Sequence, residues 1–183
     1  MIRVPFLHGL AAAWILLPAC SDPGAAQARQ FKMSLPDSRV IIYPAVVRSP
    51  SGVTHDPEVA RALAAALAEA GAREILLADE KLPLSDRRSF NQAAMFNSSF
   101  AAFGERVRAL QPRAEYAAVV EILKGRDGGV GGIHLYVVHP GGARAFGCLL
   151  NSHYKGFKAV WPKSNLEAAS VLATWLRQEF SRN

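Results

Sequence analysis

The chain has 183 residues, half of them hydrophobic and a fifth charged. That size holds one domain of ordinary dimensions, and that balance excludes a disordered chain, which buries too little apolar surface to offset its ordering entropy. Lys and Arg number 21 against 15 Asp and Glu, for a net charge of +6, yet no run of five or more cations occurs. The excess therefore suits phospholipid, lipopolysaccharide or cell wall, and nucleic acid is not an expected partner.

Arg3 is the only charged residue before Cys20. The apolar run from Val4 to Ala19 is shorter than the ~20 residues a helix needs to cross the hydrocarbon. It is also interrupted by Pro5, His8, Gly9 and Pro18. A short positive start, an apolar centre and a small-residue exit describe a secretory signal over residues 1–19. Leu17-Pro18-Ala19-Cys20 resembles the bacterial lipobox, with an apolar residue at −3, a small one at −1 and then Cys; Pro18 at −2 departs from the pattern. The resemblance implies cleavage before Cys20, diacylglycerol on its thiol and an acyl chain on its new amine. Several chains at ~0.8 kcal/mol per buried methylene make a durable anchor. Ser21 stands where an Asp would resemble an inner-membrane retention signal, which leans toward the outer membrane. After cleavage and lipidation Cys148 is the one thiol left, so no intramolecular disulfide is expected in an oxidising periplasm.

Residues 20–37 are small, polar and without a sustained hydrophobic period, and read as a lipidated tether. A single domain is expected over 38–183. It opens on the β-branched run Val40-Ile41-Ile42-Tyr43, a buried strand that Pro44 limits. Asp56 and Pro57 are a helix cap and first turn, and Val59, Leu63, Ala66 and Leu67 recur at helical spacing until Gly71. Ile75 to Ala78 make a short strand, and residues 80–97 carry no legible period. Phe100, Phe103, Val107 and Leu110 line one face of a second helix that ends before Pro112. Three strand candidates follow, "EYAAVVEIL", "IHLYVV" and "RAFGCLLNS", divided by glycine-rich breaks that favour antiparallel hairpins. Ser164-Asn165-Leu166-Glu167 is a capping box that starts a last helix, with Ala168, Val171, Leu172, Trp175 and Phe180 on its apolar face. The order β-α-β-α-β-β-β-α predicts an α/β domain whose helices bury one face on a mixed sheet. No internal repeat occurs.

The leading strand "RVIIYPAVV", the long helix ending in Ala-Gly, and "AEYAAVVEILKG" running into "IHLYVVHPGGARAFG" carry a resemblance. Over roughly residues 38–180 the chain resembles the small periplasmic domain shared by CsgG-type lipoproteins, the N-terminal domain of TolB and the lipoprotein activators of penicillin-binding proteins. The resemblance implies an α/β binding domain in the envelope. The TolB propeller and the CsgG pore segments have no counterpart in these residues, so neither a pore nor a Tol function is carried over.

Several constellations bear on chemistry. "KGRDGGVGG" leads into a strand and lacks the Gly-Lys-Ser/Thr that opens a phosphate-binding helix, so it reads as a hairpin and no cofactor is expected. Cys148 and His153 are five residues apart, an odd offset that would place them on opposite faces of a strand; Cys148 reads as a small buried hydrophobe. The scattered histidines lack the compact spacing of a metal site. Glu115 and Glu121, at even spacing, read as a solvated strand edge, so no residue is assigned a catalytic role. In "HYKGFKAVWPK", Tyr154, Phe157 and Trp161 interleave with Lys155, Lys158 and Lys163, and Gly156 and Pro162 argue against a regular helix. Aromatics amid cations suit a partner surface, an anionic glycan or a membrane face. The expectation is a non-enzymatic, lipid-anchored periplasmic protein that binds another protein or envelope component. The alternatives are a small cell-wall hydrolase using the Cys and His set, or a structural subunit of an outer-membrane assembly.

Overall fold

The computed structural model describes residues 23–85 and 91–181. The signal over 1–19 and the lipidation position Cys20 lie outside the described residues. Helix α1 (Pro23–Ser34) leads through a 3-10 turn (Leu35–Asp37) into strand β1 (Arg39–Ile42). Pro44 cannot donate to a ladder, so regular pairing breaks there and resumes as β2 (Ala45–Ser49). The Pro50-Ser51 turn folds the chain back as β3 (Gly52–Asp56), antiparallel to β2. This hairpin is absent from the sequence expectation because Gly52-Val53-Thr54-His55-Asp56 carries too few apolar residues to register as a strand.

Helix α2 (Pro57–Glu69) starts as expected on Asp56, whose carboxylate accepts from the N–H groups of Glu58 and Val59 at 2.9 and 3.4 Å. Strand β4 (Glu74–Leu77) then pairs in parallel with β1. Asn91 caps α3 (Gln92–Leu110), and β5 (Tyr116–Lys124), β6 (Val130–Val138) and β7 (Arg144–Asn151) form the expected antiparallel meander. The chain closes with α4 (Lys155–Val160) and α5 (Asn165–Phe180). Ser164 caps α5 by accepting from the Glu167 N–H at 3.1 Å. Glu167 in turn reaches past the cap residue and accepts from the Lys163 N–H at 2.6 Å.

The sheet is assembled around β5. Val40–Ile42 lie opposite Tyr116–Ala118 and Val46–Arg48 opposite Glu121–Leu123, both in parallel, so β1 and β2 run end to end along one edge. One residue is bulged between them at Tyr43-Pro44, because the register offset shifts across that pair. β6 takes the other edge of β5, and β7 pairs outside β6. The result is a mixed α/β fold in which five helices accompany a seven-stranded sheet among the described residues.

Strand alternation divides the core into two. Tyr116, Ala118, Val120 and Ile122 face one side, with Val59, Leu63 and Leu67 of α2, Leu172 and Leu176 of α5, and Phe31 of α1. Ala117 and Val119 face the other, with Phe96, Phe100, Phe103 and Val107 of α3. Leu82 and Leu84, in the stretch without a legible period, are buried against this second side.

The tether expected over residues 20–37 is corrected from Pro23 onward. Phe31 and Leu35 are fully buried, and the Phe31 ring meets Tyr116, Phe146 and Phe180 at centroid distances of 4.8, 5.0 and 6.1 Å. Lys32 Nζ bonds Glu179 Oε1 at 2.6 Å. Two large buried residues in a largely small and polar stretch dock the helix, so Phe31 and Leu35 belong to the packed domain rather than to a tether.

Candidate functional site

The aromatic and cationic stretch at 153–163 forms one corner of the domain. β7 ends at Asn151, whose side chain accepts from the His153 N–H at 3.0 Å and turns the chain away from the sheet. A short helix then forms despite Gly156, which corrects the expectation of irregular backbone. The driving contact is Phe157, fully buried among the residues packed on the α2 and α5 side. Phe157 is therefore core and leaves the expected partner surface.

The other four expected residues stay at the surface to different degrees. Tyr154 is half-buried, with its hydroxyl donating to Gln178 Oε1 at 3.1 Å and its ring lying against Gly156. Lys155 and Lys158 are exposed on α4. Trp161 ends the helix at φ 45°, a left-handed conformation that costs a residue with a side chain about 1–2 kcal/mol. Its N–H bonds the Phe157 carbonyl at 2.7 Å, and the Pro162 carbonyl accepts from the Val130 N–H at 3.0 Å, so both sides of the residue are held.

Two neighbours that sequence reasoning left out complete the corner. Val160 is 56 % exposed and Leu166, in the first turn of α5, is 57 % exposed, beside Trp161 at 42 %. Leu166 could have been found, since it falls off the apolar face formed by Ala168, Val171 and Leu172. Lys163 is also exposed, and among the described residues no carboxylate pairs with the side chains of Lys155, Lys158 or Lys163. Between α4 and α5 runs a largely apolar groove of about 300 Å³, whose lining includes Tyr154, Val160, Val171 and Thr174 together with the carboxylate residue Glu167.

A second constellation is internal. Glu121 is not a solvated edge: it is fully buried in β5, facing α3, together with His134 and Tyr136 of β6. Its carboxylate accepts from the Tyr136 hydroxyl at 2.5 Å and from Ser99 at 3.4 Å, and it pairs with the Arg48 guanidinium, which also donates to the Ser85 carbonyl. His134 Nδ1 lies 3.0 Å from Glu121 Oε2 and 2.9 Å from the Tyr136 oxygen. With the Tyr136 proton committed to the carboxylate, both neighbours of Nδ1 are acceptors, so Nδ1 carries a hydrogen. Burial alone would raise the Glu121 carboxyl, but hydrogen bonds from His134, Tyr136 and Arg48, with the charge of Arg48, together hold it below its ordinary value. Burial and the neighbouring carboxylate push the Tyr136 hydroxyl far up. The sequence signal for this cluster was the single acidic residue inside the apolar run "YAAVVEIL". Glu115 lies just before β5, exposed, where its carboxylate accepts from the Arg39 N–H at 2.7 Å.

Cys148 is buried on the α1 side of the sheet, whereas His134 belongs to the α3 side. Burial pushes its thiol far up, away from the thiolate that nucleophilic chemistry needs. His153 sits on the turn beyond β7. Among the described residues no three His, Cys, Asp or Glu side chains gather as a metal site requires, and no helix is long and apolar enough to cross a membrane.

Fold and corner together describe a mixed α/β domain with one surface of clustered apolar and cationic side chains. Neither any protein-family model nor any curated protein sequence matches this chain.

Proposed function

We propose that the chain is a non-enzymatic envelope protein, lipid-anchored at Cys20 on the periplasmic side, with an outer-membrane location favoured by Ser21. In this reading its α/β domain presents the α4–α5 corner to another envelope component. One observation carries the reading: Val160, Trp161 and Leu166 are exposed in the same stretch of chain as Lys155, Lys158 and Lys163, whose side chains pair with no carboxylate among the described residues, and the backbone on both sides of Trp161 is hydrogen-bonded. A monomeric domain gains nothing from leaving such groups in water, and clustered exposed apolar residues mark interaction surfaces. The separation of Cys148 from the His134 cluster weighs against a thiol hydrolase.

The test is a photo-crosslinking residue placed at position 160 in intact cells, followed by mass spectrometry, with position 53 on β3 as a control. The reading expects an adduct specific to position 160. The same pattern at both positions, or none at either, would overturn it. The anchor is tested separately: Cys20→Ala should abolish lipoprotein processing and release the protein from the membrane fraction. Unchanged retention would sink the lipobox assignment.

A further inference from the structure

We infer that the envelope component met by the α4–α5 corner is an anionic phospholipid leaflet, a step that rests on the binding role proposed above for this corner. Lys155, Lys158 and Lys163 would lie among the lipid phosphates, with Val160, Trp161 and Leu166 at the boundary between headgroups and acyl chains. Charge complementarity is the first argument. All three ammonium groups fall within the stretch that carries the exposed apolar side chains, and among the described residues none of them pairs with a carboxylate; Glu167, which lines the adjoining groove, accepts from the Lys163 backbone N–H at 2.6 Å.

The second argument is the kind of side chain exposed. Val160 and Trp161 at the end of α4 and Leu166 in the first turn of α5 are each about half exposed. An indole prefers the headgroup level, and lysine stems extend along apolar surface while their charges stay wet. The third argument is rigidity. Phe157 is fully buried beneath the corner and Trp161 is held through Phe157 and Pro162, so insertion requires no refolding. Each lysine near an anionic leaflet contributes on the order of fivefold in partitioning, so the three together exceed about a hundredfold.

The experiment reconstitutes the full chain in vesicles of phosphatidylethanolamine and phosphatidylglycerol brominated near the headgroup end of the acyl chains. Trp161 fluorescence is isolated by subtracting the emission of Trp161→Phe, which removes any contribution from Trp14 and Trp175. The expected result is bromolipid quenching of the Trp161 component, abolished in a Lys155→Glu, Lys158→Glu, Lys163→Glu variant whose thermal unfolding matches the parent. Absence of quenching overturns the inference. Equal quenching in brominated phosphatidylcholine also overturns it, because proximity through the anchor would then be enough. A protein adduct at position 160 without quenching retires the lipid inference and leaves the binding role standing; neither adduct nor quenching retires both.

Discussion

Glu121 and His134 are register partners across the β5–β6 ladder, both fully buried, with Nδ1 3.0 Å from the carboxylate oxygen. The carboxylate also gathers Arg48, Tyr136 and Ser99, so it joins three strands and α3 through one side chain. Removing it leaves the partly buried Arg48 guanidinium with the Ser85 carbonyl alone and takes their acceptor from the buried hydroxyls of Tyr136 and Ser99. Breaking a buried pair from one side costs about 3–5 kcal/mol. Glu121→Ala should therefore lower unfolding stability by about that much in urea denaturation. Glu121→Gln, which keeps an acceptor oxygen, should lose less. A loss for Glu121→Ala no larger than that of an exposed substitution would show that the network is stabilised elsewhere.

The same carboxyl gives a pH signature. Its pKa in the folded state lies below the ordinary 4.5, so the unfolded chain binds the proton more readily. The contribution is fully present above the ordinary value and is lost as pH falls through the lower, folded one. Denaturation midpoints should fall as pH drops below about 4.5, and Glu121→Gln should show a shallower fall. Glu115, also held low by the Arg39 N–H, contributes in the same direction but is unchanged between the two proteins. Parallel pH curves for parent and variant would count against this assignment.

What could be read from the sequence follows what periodicity encodes. Asp56-Pro57, the Val59-Leu63-Leu67 face and the three meander strands were legible because caps, 3.6-residue recurrence and apolar runs are local signals. Helix α1 was not, since its docking depends on Phe31 meeting aromatic rings more than 80 residues away. Glu121 was misread for the same reason: its four polar partners come from β2, α3 and β6, and only the folded sheet brings them together. Most of the α4–α5 corner was visible as interleaved aromatics and lysines. Which of those rings would turn inward, as Phe157 does, was not.

Helix α1 provides a test of where the domain begins. Phe31 is 1 % exposed and contacts three aromatic rings from β5, β7 and the end of α5. Phe-to-Ala changes at such sites cost about 3–5 kcal/mol. Phe31→Ala should destabilise the whole domain by about that amount in a single cooperative transition, read by denaturant unfolding. In contrast, a tether mutation would leave the midpoint in place. Met33, 81 % exposed on the same helix, supplies the control: Met33→Ala should shift the midpoint little.

Helix α3 sits over the sheet because two backbones touch. A Cβ on Gly104 would lie 2.3 Å from the Gly142 carbonyl oxygen, and one on Gly142 would lie 2.4 Å from the Gly104 oxygen. The contact clamps α3 to the β6–β7 turn and sets the depth at which Phe100 and Phe103 enter the core. Gly142 also has φ +84°, which disfavours any side chain, whereas Gly104 is helical and gains propensity from alanine. Sterics and propensity therefore oppose each other at Gly104, and a backbone atom at 2.3 Å decides the sign. Gly104→Ala should destabilise the domain by about 1–3 kcal/mol, the range for overpacking. Because one displacement of α3 relieves both clashes, the Gly104→Ala, Gly142→Ala pair should cost less than the sum of the single changes. A stabilising Gly104→Ala, or strict additivity, would mean that the helix and the turn are not held against each other.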